Sequence, residues 1–238
     1  MLTPGKIDVV LLCGGFGTRL KTVVHDRPKP MAEINDRPFL DILIDYVSDY
    51  GFKRFILCTG HKGDVIRKYY EAKNTQKIFL FSEEKEPLGT GGAIKNAEPL
   101  IQSNVFMVMN GDSFCNLDLC NFLNYHDSTK AYASIALAKK EKSLDCGVVR
   151  MDDHGRITAF HEKVEAGDMS YVNAGVYLFN KEVFSLLPSH KNFSLELNLF
   201  SALIQKKAVY GFFTHPQLID IGTPERYELA KKIFKSAT

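Results

Sequence analysis

The chain has 238 residues, 45% of them hydrophobic and 24% charged, with a formal net charge of +2. That length suits one large domain better than two small ones, and so small a charge gives no electrostatic reason to expect nucleic acid or a membrane as partner. No apolar run approaches the roughly 20 residues that span a bilayer, the opening Met1 to Lys6 carries no signal-peptide pattern, and the five scattered cysteines predict reduced thiols in a cytoplasm, not a disulfide framework.

The first predicted element is a buried strand, Val9 to Leu12. It runs into Cys13-Gly14-Gly15-Phe16-Gly17-Thr18-Arg19-Leu20, where a helix is expected to begin. Glycines allow a ligand close to the backbone, and the open N–H groups of a helix start attract anions. Thr18 adds a hydroxyl and Arg19 a cation, so the stretch reads as a phosphate cradle. A Walker loop would need Gly-Lys-Ser/Thr, which is absent. A dinucleotide fingerprint would need glycine where Leu20 stands and an acid ending the second strand; that strand, Arg54 to Gly60, ends without one. A glycine turn with no ligand has the same local composition.

Pro28-Lys29-Pro30 follows, and its prolines exclude regular helix and hold Lys29 on a loop near the glycines. A helix is predicted from Phe39 to Tyr50, closed by Gly51. Next come the strand 54–60, a helix from Gly63 to Lys73 and a strand from Ile78 to Phe81. The third strand leads into Glu83-Glu84-Lys85-Glu86-Pro87-Leu88-Gly89-Thr90, a second glycine loop before a helix, now rich in acids. Carboxylates there can accept from a base with donors on its edge, which guanine has in its N1–H and exocyclic amine.

The strand from Val105 to Met109 ends in Asn110-Gly111-Asp112, and an acid at the C-terminal end of a central strand is a hard-oxygen ligand in the position where α/β sheets bind ligands. A helix (117–125) and a strand (132–138) follow. A hairpin is expected over Val148 to Phe160, ending in His161-Glu162-Lys163, and a strand over Tyr171 to Phe179. Two helices near 181–187 and 194–206 precede a strand near 208–214. Asp220 ends a last short strand, and Thr223-Pro224 opens the closing helix.

Taken in order, these segments resemble the sugar-1-phosphate nucleotidyltransferases over nearly the whole chain. The resemblance rests on Gly14-Gly15-Phe16-Gly17-Thr18-Arg19-Leu20, Pro28-Lys29-Pro30, Glu86-Pro87-Leu88-Gly89-Thr90, Gly111-Asp112, Phe160-His161-Glu162-Lys163, Asn173-Ala174-Gly175-Val176-Tyr177 and Asp220-Ile221-Gly222-Thr223-Pro224. It implies a single-domain, Rossmann-like α/β fold: a mixed, mostly parallel sheet flanked by helices. A nucleotide half would span roughly 1–112 and a sugar half roughly 113–238. It also implies transfer of a nucleotidyl group from a nucleoside triphosphate to a sugar 1-phosphate, with release of pyrophosphate.

By the same resemblance, Leu12, Cys13, Gly14, Gly15, Gly17, Thr18 and Arg19 hold the nucleotide, with Glu84, Glu86, Gly89 and Thr90 at its base and ribose. Arg19 and Lys29 neutralise the triphosphate, Asp112 and Asp220 hold Mg²⁺, and Lys163 grips the sugar phosphate. Asn110, Gly147, Glu162 and Asn173 contact the sugar. Relatives that transfer uridylyl or thymidylyl groups often carry glutamine where Glu84 stands, so the wording of this loop is closer to the guanylyltransferases. The tryptophan common just before the Asp220 segment is missing. A chain this short, without hexapeptide repeats, is similar to the bacterial D-glycero-α-D-manno-heptose 1-phosphate guanylyltransferases. GTP and that sugar phosphate are then the expected partners, and a homo-oligomer is compatible. Alternatives are a uridylyl- or cytidylyltransferase acting on another sugar or amino-alcohol phosphate, and a sugar-nucleotide sensor that kept the fold.

Overall fold

A computed structural model describes residues 2–139, 148–161, 171–188, 191–213 and 218–235. The chain opens with β1 (Asp8–Leu12), a small hairpin of β2 (Glu33–Ile34) and β3 (Arg37–Pro38), and α1 (Phe39–Asp49). It continues through β4 (Arg54–Thr59), α2 (Gly63–Glu71), β5 (Ile78–Glu83), α3 (Gly89–Ala97), β6 (Val105–Asn110), β7 (Ser113–Cys115) and α4 (Leu119–Thr129). The remaining elements are β8 (Ala133–Lys139), β9 (Val148–Met151), β10 (Ile157–His161), β11 (Tyr171–Asn180), α5 (Ser201–Gln205), β12 (Val209–Phe213), β13 (Leu218–Asp220) and α6 (Pro224–Lys235).

Nine of these strands form one sheet. β5, β4, β1 and β6 lie side by side and parallel. On the other side of β6, β11 runs antiparallel and carries the sheet on to β9 and β10, and also to β8 and β12. The mixed, mostly parallel α/β architecture expected from the sequence is the one observed. Continuous apolar runs of the β1 type suit it because both faces of the strand are covered. Val9 and Leu11 belong to one core layer with Phe39, Leu43 and Phe55, while Val10 belongs to the opposite layer with Ile56, Ile94 and Phe106. Each fully buried aliphatic side chain contributes roughly 1.5–3 kcal/mol.

The expected helix at α1 is present for the expected reason. Leu40, Leu43, Ile44 and Val47 are buried at helical spacing, and Gly51 closes the helix at φ 94°, its N–H donating to the Ser48 carbonyl. Two other expectations need correction. No α-helix starts at the first glycine loop: Gly17 takes a left-handed φ of 58° and the chain makes a single 3₁₀ turn, Thr18–Leu20. A second such turn, Lys29–Met31, begins between the two prolines. β-Branched Thr22, Val23 and Val24, followed by Pro28, leave too little helix-forming sequence to extend the first turn. Likewise 181–186 is 3₁₀, and the segment after Ser194 winds as a π-helix over Leu195–Phe200 before α5.

Register sets the floor of the site. Leu12 lies opposite Cys58 of β4 and Asn110 of β6, so the residues after all three strands emerge at one edge. There the loops touch backbone to backbone. A Cβ on Gly60 would stand 2.8 Å from the Gly14 carbonyl oxygen, and the Gly111 N–H donates to the Leu12 carbonyl at 3.0 Å.

Candidate active site

At that edge lies a cavity of about 470 Å³, within the size range of small-ligand pockets. Leu12, Cys13, Gly14, Gly15, Gly17 and Thr18, the residues that the resemblance assigns to the nucleotide, line it together with Phe16. The Cys13 N–H is already engaged by the Cys58 carbonyl at 2.8 Å, and burial pushes its thiol well above the usual range, so it stays protonated. From Gly14 to Thr18, by contrast, no backbone N–H is hydrogen-bonded to another of the described residues. A run of open amides facing a cavity is an anion cradle, and here it does not depend on a helix dipole.

Arg19 and Lys29 both reach the cavity. Lys29 is placed by the proline-bounded turn, its Cβ lying 3.0 Å from where a Cβ on Gly17 would be. Its Nζ donates to Asp112 Oδ2 at 2.6 Å, and the Ser113 hydroxyl donates to Asp112 Oδ1 at 3.1 Å. Asp220 arrives through the short β13–β7 ladder, where it pairs with Ser113, and the Ile221 N–H donates to the Asp112 carbonyl at 3.1 Å. Asp220 accepts from the Gly222 N–H at 2.8 Å and from Arg226 at 3.3 Å. Gly222, not Asp220 itself, lines the cavity.

Asp112, in the turn between β6 and β7, and Asp220, at the end of β13, are hard-oxygen donors. Among the described residues no cluster of three or more His, Cys, Asp or Glu gathers that could hold a metal. Two carboxylates are the chemistry that suits a cation such as Mg²⁺, which takes most of its shell from water and substrate oxygens.

The second glycine loop adds Glu84, Pro87, Gly89, Thr90 and Ala93 to the lining. The Glu84 N–H donates to the Thr59 carbonyl at 2.8 Å, fixing the residue at the end of β5. Its Oε1 would stand 2.6 Å from a Cβ on Gly14, so glycine there makes room for the carboxylate. Oε2 accepts from the Leu88 N–H at 3.1 Å. Burial raises the Glu84 carboxyl above the usual range, and the Leu88 N–H offsets part of that rise.

Asn110 also lines the cavity, but the structure does not bring Glu86, an exposed residue, or Asn173 to its wall. Asn173 instead braces a bulge in β11, accepting from the Gly175 N–H at 3.0 Å and donating to the Tyr177 hydroxyl at 2.7 Å. Gly147, Glu162 and Lys163 lie outside the described residues. Phe16, Pro30, Pro87 and Gly222, which stand inside the motifs that carry the resemblance, also line the cavity, as does Ala93, to which sequence reasoning assigns no role. The only signal for Ala93 is its place just after the second glycine loop.

Residues 8–236 match the nucleotidyl transferase family. The chain is 38% identical over 223 residues to D-glycero-alpha-D-manno-heptose 1-phosphate guanylyltransferase of Campylobacter jejuni, covering 93% of this chain and 97% of that one. It is 35% identical to the enzyme of the same name from Aneurinibacillus thermoaerophilus, covering 95% and 97%. The crystal structure of HddC from Yersinia pseudotuberculosis complexed with GMP-PN superposes with a TM-score of 0.80 at 36% identity, covering 96% of this chain and 99% of that one.

Proposed function

The chain belongs to the nucleotidyl transferase family, and from that premise we propose that it transfers a guanylyl group from GTP to D-glycero-α-D-manno-heptose 1-phosphate, giving GDP-heptose and pyrophosphate. One observation carries the reading. A single cavity is lined by the loop of residues 14–18, whose amides have no partner among the described residues, by Arg19, Lys29 and Asp112, and by the half-buried Glu84. Phosphates and a base with donors on its edge are the two ends of such a ligand. The sugar identity follows the relatives, two of which carry that activity in their names at 35–38% identity over nearly the whole chain.

In the proposed reaction a phosphate oxygen of the sugar 1-phosphate attacks the α-phosphorus of GTP in line. The bond to the bridging oxygen breaks, and pyrophosphate leaves with that electron pair. No covalent enzyme intermediate is needed, so the protein acts by positioning and charge neutralisation. The loop amides, Arg19 and Lys29 hold the triphosphate and offset the charge that grows on the leaving pyrophosphate. Asp112 and Asp220 would hold Mg²⁺, which when bound supplies charge neutralisation at the phosphates. Lys163 and Glu162 are assigned to the sugar phosphate and sugar hydroxyls by resemblance alone, as are Gly147 and Asn173. No described helix is long and apolar enough to cross a membrane. Four cysteines, Cys13, Cys58, Cys115 and Cys120, are free thiols, which supports a cytoplasmic location.

The direct test measures pyrophosphate release with Mg²⁺, pairing each of the four common nucleoside triphosphates with heptose, mannose and glucose 1-phosphates. Turnover confined to GTP with the heptose phosphate is the expected result. Activity with another pair would keep the chemistry and replace the specificity, and folded but silent protein would favour the sensor reading. Within this panel Glu84→Gln is expected to raise the KM for GTP about tenfold, since a charge-assisted hydrogen bond is worth roughly 1.5–3 kcal/mol. An unchanged preference for GTP over UTP in that variant would remove Glu84 from base reading.

A further inference from the structure

The loop that carries Glu84 is fastened from outside by a segment more than a hundred residues away. The Asn192 amide donates to the Pro87 carbonyl at 2.9 Å. The Phe193 N–H donates to the Leu88 carbonyl at 3.0 Å, and the Phe193 carbonyl accepts from Gly91 and Gly92 at 3.0 and 3.3 Å. The Leu195 N–H donates to Thr90 Oγ1 at 2.8 Å. Thr90 in turn donates to Glu196 Oε2 at 3.1 Å, an oxygen that also accepts from the Ser194 hydroxyl at 2.8 Å. Approach is so close that a Cβ on Gly91 would stand 2.3 Å from the Phe193 ring, and one on Gly92 2.1 Å from the Lys191 carbonyl oxygen.

The residue in the middle of this clasp is also the one that fixes Glu84. Leu88 accepts from Phe193 through its carbonyl and donates to Glu84 Oε2 through its N–H. A simple cap would explain less. Ser194 alone serves the Leu197 N–H at 3.3 Å at the start of the π-helix, whereas Glu196 directs its carboxylate across to Thr90, 106 positions away in sequence.

We propose that Glu196 is a positioning residue for base selection: through Thr90 and the backbone of 192–195 it holds the Leu88 N–H on Glu84, and so sets the carboxylate that distinguishes guanine. This rests on the guanylyl reading above. Glu196 touches no substrate in that role, because it acts from behind the cavity wall.

Inosine triphosphate isolates the effect, since it keeps the N1–H of GTP but lacks the exocyclic amine. Wild-type protein is expected to favour GTP over ITP about tenfold in kcat/KM. Glu196→Ala should raise the KM for GTP about tenfold with little change in kcat, and should bring the GTP-to-ITP ratio close to one while the protein stays folded at the assay temperature. Glu196→Gln should keep the wild-type ratio, because its amide oxygen still accepts from both hydroxyls. Ser194→Ala removes the other hydroxyl that donates to Glu196 Oε2, at a residue away from the cavity lining, and should shift the ratio in the same direction, which covers the case of a Glu196→Ala protein that does not fold. Equal loss with GTP and ITP, or an unchanged ratio in both folded variants, would overturn the positioning role while leaving the guanylyl reading standing. A wild-type protein that prefers another base, or does not separate GTP from ITP, would overturn the base reading and this inference with it.

Discussion

Asp112→Asn is expected to lower turnover in Mg²⁺ by about a thousandfold, corresponding to roughly 4 kcal/mol of lost transition-state stabilisation, with Tm changed by no more than a few degrees. The two halves of that expectation have separate causes. Asparagine keeps the volume, and the Asp112 carbonyl still accepts from Ile221, so the link between the end of β6 and the segment after β13 survives. The Ser113 hydroxyl likewise keeps an oxygen acceptor. What is lost is the negative charge of a carboxylate that lines the cavity beside Lys29. Chelation of divalent cations in the wild-type protein should produce the same loss, restored by added Mg²⁺, whereas the variant should not recover at any Mg²⁺ concentration. A variant retaining more than about a tenth of wild-type turnover would take Asp112 out of the proposed cation site.

Lys29→Met should lower kcat/KM about a hundredfold, the scale of removing one preorganised charge from a phosphate-transfer site. The thioether side chain fills the space of the lysine stem, so the contact with the Gly17 turn is kept while the ammonium is removed. The Lys29 side chain is only 14% exposed, and its ammonium sits 2.6 Å from Asp112 Oδ2. Its removal therefore has a second consequence with the opposite sign: Asp112 loses its cationic partner. Mg²⁺ measured by calorimetry without nucleotide should bind the variant more tightly than the wild type, even as GTP turnover falls. A decrease in kcat/KM of less than threefold would assign Lys29 to holding Asp112 rather than to the triphosphate.

Much of this site is legible in the sequence because its parts sit at punctuation in the chain. Gly14 to Gly17, Lys29, Glu84 and Asp112 each follow the end of an apolar run or stand between prolines, and parallel pairing of β1, β4, β5 and β6 gathers such ends at one edge. Asp220 is legible as an acid ending a strand, though its alignment with Ser113 is not. What a sequence does not display is geometry decided by tertiary contact. The first glycine loop has the composition of a helix start, yet left-handed Gly17 and the following β-branched residues stop it after one turn. The clasp on the second loop joins Thr90 to Leu195 and Glu196, and nothing local in Ser194-Leu195-Glu196 announces a partner so far away. Asn173 is legible as a polar residue in an apolar strand, but periodicity says nothing of a bulge that turns its amide back on Gly175 and Tyr177.

The strand β6 is bonded to β1 along one side and to β11 along the other. The parallel strands β5, β4, β1 and β6 and the antiparallel β11 are thus parts of one ladder beneath the cavity, with no seam among the described residues along which they could part like the covers of a book. Swinging one half away from the other would break several interstrand bonds at once in a region whose side chains are nearly all buried. Substrates must therefore enter and pyrophosphate must leave from above, past the loops, while the floor keeps its shape. In such an enzyme adaptation to a new sugar or base is expected to occur by exchange of rim residues, with the platform beneath left as it is.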